Sequence, residues 1–114
     1  MSIDHLLDRE YHREDYNCLH FAAECWSLLT GDKRLHVVRE HQIQGQGLAG
    51  LFRGMTKHRA ATEAPSLALM ETLDGQLHIA VCFRRRLLHI NETGCQFMPV
   101  DAYNSTYRNM RFYS

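Results

Sequence analysis

At Pro65 the sequence changes period, and that change limits the folds open to the chain. Leu67, Leu69, Glu71 and Leu73 alternate with Ala68, Met70 and Thr72, the two-residue period of a strand. Asp74-Gly75 then makes a strong hairpin turn. In the next strand Leu77, Ile79, Val81 and Phe83 form one face, and His78, Ala80 and Cys82 the other. Arg84-Arg85 turns into a third strand, Arg86-Leu87-Leu88-His89-Ile90. Asn91-Glu92-Thr93-Gly94 turns again into Cys95-Gln96-Phe97-Met98-Pro99-Val100, and residues 107–113 add a last short strand. Connections this short join antiparallel neighbours, because a parallel crossover takes a dozen or more residues.

Upstream of Pro65 the dominant signal is helical. Residues 15–31 read as one helix, with Asp15 or Asn17 as N-cap and Gly31 as the left-handed residue that ends it. His20, Glu24 and Ser27 share a narrow polar stripe, and the remaining surface is apolar. Cys18 lies in the first turn on that apolar arc. It therefore points toward the rest of the protein from the positive end of the helix dipole, which favours a thiolate. Leu6, Leu7 and Tyr11 share a short helical face. Leu35, Val37, Val38 and Ile43 suit a short helix or extended segment. Leu48, Leu51, Phe52 and Met55 suit a helix around residues 46–58. A helical first half before an antiparallel second half is an α+β arrangement.

A chain of 114 residues with 45% apolar content is expected to form a single domain, residues 1–114, with its own core. Thirteen basic residues against thirteen acidic ones argue against nucleic acid as a partner and against a polybasic membrane anchor. The start Met1-Ser2-Ile3-Asp4-His5 lacks a basic stretch followed by an apolar run. Synthesis in the cytoplasm without a signal peptide is therefore expected, with the four cysteines mostly reduced. Gly45-Gln46-Gly47 follows no strand and precedes no Lys-Ser/Thr pair, so it does not read as a phosphate loop.

The chemistry-bearing residues fall on the helix and the second hairpin. On the second strand the His78 face is small and the opposite face large, so the helix is expected to pack over the small face, bringing Cys18 to His78. A two-residue turn at Arg84-Arg85 pairs Phe83 with Arg86, Ala80 with His89 and His78 with Asn91. His89 then lies diagonally across from His78, at about 7–8 Å between backbones. Cysteine, base and orienting group are the parts of a nucleophilic triad. A thiol with an ordinary pKa of about 8.5 becomes a thiolate beside an imidazolium at a helix N-terminus. The Cys18 backbone N–H is a candidate oxyanion donor, with Tyr11 or His12 as side-chain candidates. Either His89 or Asn91 could orient His78.

The same residues have plainer readings. Cys25, Cys82 and Cys95 suit core or loop positions, His20 a solvated one, and Arg84-Arg85-Arg86 a solvated hairpin tip. Cys18-x-His20, His78-x₃-Cys82 and His89-x₅-Cys95 are rich in metal-ligand types. However, Cys18 and His20 diverge by about 160° on a helix. No CxxC pair is present either, so neither a metal nor another cofactor is expected.

Tyr16-Asn17-Cys18-Leu19-His20-Phe21-Ala22-Ala23-Glu24, ending in Thr30-Gly31, and His78-Ile79-Ala80-Val81-Cys82-Phe83 with Leu88-His89-Ile90 together resemble the NlpC-type cysteine peptidases. The likeness is greatest to small phage and prophage tail-associated members. It covers residues 15–31 and 66–100. It implies a papain-like fold and cleavage of an amide bond in bacterial cell-wall peptidoglycan. Cys18 would be nucleophile, His78 base and His89 orienting residue. The implied partners are a peptidoglycan or muropeptide substrate and phage tail proteins, with a virion-associated location. The chain departs from the family at Asn17, where Asp is usual, at Leu19-His20, where Ser-Gly is usual, and in lacking a Gly-Asp before the histidine strand. These differences bear on the substrate pocket and leave the triad residues in place. The Asn-Cys-x-His-Phe string is also similar to that of lecithin–retinol-type acyltransferases, in which the histidine precedes the cysteine. A cysteine acyltransferase and a non-catalytic tail-assembly or interaction protein are the alternatives to a peptidase.

Overall fold

Helix α1 spans Cys18–Thr30 and is capped at both ends by residues its sequence supplies. Asn17 Oδ1 accepts from the backbone N–H of Leu19 at 3.0 Å and of His20 at 3.5 Å. The Asn17 N–H in turn donates to His20 Nδ1 at 3.1 Å. This is a capping box with histidine in the place usually held by Glu or Gln. His20, expected to be merely solvated, therefore locks the helix start. At the other end Gly31 has φ of 78° and its N–H closes onto the Ser27 carbonyl. The structure, a computed structural model, describes residues 3–14, 16–37 and 52–114. The alternative cap Asp15 lies outside them.

The architecture is α+β, with α1 packed on a six-stranded antiparallel sheet. The strands are β1 (Lys57–His58), β2 (Ser66–Glu71), β3 (Leu77–Phe83), β4 (Arg86–Asn91), β5 (Gly94–Pro99) and β6 (Arg108–Tyr113), in spatial order β1-β6-β2-β3-β4-β5. The turn around Gly75, with φ of 88°, joins β2 to β3. Arg84 and Arg85 take positive φ of 56° and 60° to make the two-residue turn into β4. That turn is anchored as well as solvated, since its backbone N–H groups donate to the Glu63 and Thr62 carbonyls at 2.8 Å.

Two expectations about local structure need revision. The helix expected over residues 46–58 falls partly outside the described residues, and at its end Lys57–His58 is a strand paired to β6. The short helical face expected at Leu6, Leu7 and Tyr11 is a 3₁₀ turn at Asp4–Leu6 that stops before Tyr11, and the short helix at Leu35 is a 3₁₀ turn at Arg34–Val37; they bury Leu6 and Leu35. Val38 and Ile43 lie outside the described residues.

The packing of α1 overturns a third expectation. The helix lies on the large face of the sheet, against Leu67, Leu69, Ile79, Val81, Leu88 and Ile90, and not on the face bearing His78. The reason is size complementarity. The helix itself supplies the small residues Ala22, Ala23 and Cys25 that allow close approach, and Phe21 and Trp26 fill the remaining space. Burying each large side chain contributes about 1.5–3 kcal/mol. The small residues Ala68, Ala80 and Cys82 on the other face instead make room for Tyr103, Tyr107 and Phe112.

Candidate functional site

A cleft of about 300 Å³ opens at one end of the sheet, lined by Tyr11, Cys18, Thr72, His78, Ile90, Asn91, Glu92, Thr106 and Tyr107. Its position follows from the strand ends. There β2 stops, β3 begins and β4 ends. The β3–β4 ladder runs from Phe83↔Arg86 to Val81↔Leu88, so the expected pairs Ala80–His89 and His78–Asn91 are not formed. At this unpaired end side chains from both faces reach one rim. Cys18, packed at the edge of the helix-side core, and His78, from the opposite face, thus share the cleft although α1 and His78 lie on different sides of the sheet.

His78 and His89 meet directly. Nε2 of His78 lies 3.2 Å from Nδ1 of His89, with the rings at 81° to each other. This contact involves His89 and not Asn91. Asn91 lines the cleft and accepts through Oδ1 from the backbone N–H and hydroxyl of Thr93, at 2.9 and 2.6 Å. Since Nε2 of His78 is engaged, Nδ1 is the ring nitrogen left for the cleft. Tyr11 also lines the cleft, whereas His12 pairs its backbone with Tyr16.

Two aromatic residues that the sequence pattern did not single out hold this pair. Tyr107 stacks flat on His78, with centroids 5.0 Å apart and rings within 4° of parallel. Tyr103 meets His89 edge-on at 4.8 Å. Both come from the segment between β5 and β6, where Tyr103 falls outside the expected strands and Tyr107 only opens the last of them. Their spacing of four residues was the available signal.

Burial sets the electrostatics. His78 is 8% exposed and His89 1%. Burial, with a smaller contribution from His89, lowers the His78 pKa from 6.5 to about 3. Burial lowers that of His89 to about 4, opposed by the Gln96 side chain. Both imidazoles are neutral near pH 7, so the expected imidazolium partner for Cys18 is absent at rest.

The other cysteines are placed apart from this cleft. Cys25 is buried in the helix-side core, which pushes its thiol pKa well up. Cys82 donates to the Thr62 carbonyl at 3.5 Å, and Cys95 to the Leu6 and Arg9 carbonyls at 3.2 and 3.3 Å. Among the described residues no cluster of three or more His, Cys, Asp or Glu side chains is placed to hold a metal. None of the described helices is long and apolar enough to cross a membrane.

Compared with known families, curated proteins and solved structures, the chain matches no family model, no curated protein and no solved structure.

Proposed function

We propose that this chain is a thiol hydrolase of papain-like, NlpC-type fold that cleaves an amide bond, with peptidoglycan stem peptides as its substrate class. The observation that carries the reading is one cleft holding a cysteine from a helix N-terminus and a histidine whose far nitrogen is engaged by a second histidine. In this mechanism the Cys18 Sγ proton passes to His78 Nδ1 as sulfur adds to the substrate carbonyl. The backbone N–H of Cys18 and the Tyr11 hydroxyl are the oxyanion donors. The imidazolium gives its proton to the leaving amine as the C–N bond breaks. Water then adds to the thioester, losing a proton to His78, and the acid leaves as the thiol is restored. His89 holds His78 in orientation. The low basicity of His78 makes it a weak acceptor at rest and a strong donor to the leaving amine.

That same low basicity favours a second reading, a non-catalytic interaction protein in which the histidine pair is structural. Incubation with purified muropeptides separates the two. Hydrolase activity appears as a new amino group, and Cys18→Ala and His78→Ala each abolish it while the far-ultraviolet spectrum is kept. No cleavage by the wild-type protein, together with no labelling of Cys18 by a thiol-directed probe, overturns the hydrolase.

A further inference from the structure

The histidine pair leaves one polar atom unexplained. His89 Nε2 is buried with no hydrogen bond of normal geometry among the described residues. Leaving such a buried group unpaired is costly, so what stands beside it matters. Gln96 is the residue directly across the β4–β5 ladder from His89. Tyr103, whose ring packs edge-on against His89, donates its hydroxyl to Gln96 Oε1 at 2.8 Å. That donor turns the amide so that oxygen, not nitrogen, lies on the Tyr103 side. A carbonyl oxygen has two lone pairs, so Oε1 can take a second donor.

We propose that Gln96 is a positioning residue: its side-chain oxygen, oriented by the Tyr103 hydroxyl, keeps the His89 proton on Nε2, which makes His89 Nδ1 an acceptor for His78 Nε2–H and leaves a lone pair on His78 Nδ1 in the cleft. The logic is that of tautomers. Each neutral imidazole carries one N–H, and the 3.2 Å contact joins Nε2 of one ring to Nδ1 of the other. One of the two must donate. If His89 Nδ1 donated, the His78 proton would sit on Nδ1 and the ring could not act as base toward Cys18. Gln96 decides between the two states from the far end. It lies outside the cleft lining and acts only through His89. The opposition of Gln96 to the burial effect on His89 agrees with an accepting oxygen at this site.

The proposal rests on the hydrolase reading for its consequence but not for its test. Long-range ¹⁵N–¹H correlation spectra of protein labelled at histidine report which ring nitrogen carries the proton. Wild type is expected to show Nε2–H at both His78 and His89. Gln96→Leu is expected to bring Nδ1–H into the His78 signal and to slow Cys18 alkylation about tenfold, since a wrong tautomer removes the base. Gln96→Glu keeps an acceptor at this position and should restore the Nε2–H pattern. Tyr103→Phe keeps the ring and releases the amide, giving a mixture. Nδ1–H on His78 in wild type, or unchanged tautomers in both Gln96→Leu and Tyr103→Phe, overturns the proposal. The expected tautomers without thiol reactivity would leave the relay standing and remove the hydrolase.

Discussion

His78 Nε2 and His89 Nδ1 lie 3.2 Å apart across two strands that are no longer paired at that level. One ring must donate and the other accept, and burial keeps both rings neutral near pH 7. Once the donor in this contact is fixed, all four ring nitrogens are assigned, because each neutral imidazole carries one N–H. The same burial makes the pair sensitive to acid.

Acid should destabilise the protein through these two rings. Their folded-state pKa values, about 3 and about 4, lie below the ordinary 6.5. Above pH 6.5 neither state binds a proton there, and the full stability is present. As pH falls below that value the unfolded chain takes up protons the folded one refuses, and stability is lost down to the folded pKa values. The loss by about pH 4.5 is roughly 2–3 kcal/mol per histidine. Urea midpoints at about pH 7 and about pH 4.5 should show a smaller acid loss for His89→Gln than for wild type.

Removing the helix cap should be measurable. Asn17→Ala leaves the N–H groups of Leu19 and His20 without their side-chain acceptor and is expected to cost about 1 kcal/mol. Asn17→Asp keeps the acceptor and should recover most of the loss, read from urea denaturation of the three proteins.

The helix C-terminus offers a backbone test. At Gly31, with φ of +78°, an added Cβ meets nothing within 4 Å. Any cost of Gly31→Ala is then conformational, about 1 kcal/mol. Gly31→Asn should cost less, because Asn tolerates the left-handed region better.

The turn between β3 and β4 should be improvable. Arg84 and Arg85 both hold positive φ, where Asn followed by Gly is the favoured pair. The double substitution Arg84→Asn with Arg85→Gly keeps the turn at two residues. It is expected to gain about 1 kcal/mol in thermal or urea unfolding, since relief of left-handed strain exceeds the glycine entropy cost.

The strands from β2 to β6, the tight turns and the capped helix were legible because each rests on local chemistry: alternation at residues 67–83, Asp74-Gly75, Arg84-Arg85, Asn17 and Gly31, whereas β1, only two residues long, was read as part of a helix. The face chosen by α1 was not. Both faces of β3 are apolar, and the choice depends on Ala22, Ala23 and Cys25 making the helix the small partner. Tyr103 was missed because residues 101–106 have no period to read, although Val100–Tyr103 is one 3₁₀ turn, and Tyr107 was read only as the start of the last strand. Gln96 was hidden by its ordinary place in an edge strand, where only the partner across the ladder gives it meaning.

The most direct test of a nucleophilic Cys18 served by His78 is the rate at which each thiol is alkylated by iodoacetamide, read by peptide mass spectrometry. Cys95 is the internal standard, being part-exposed and bonded to two backbone carbonyls. The account predicts that His78→Gln slows Cys18 alkylation about tenfold or more, because His78 takes the thiol proton as sulfur attacks, while the Cys95 rate stays the same. A Cys18 rate unchanged by His78→Gln would contradict it.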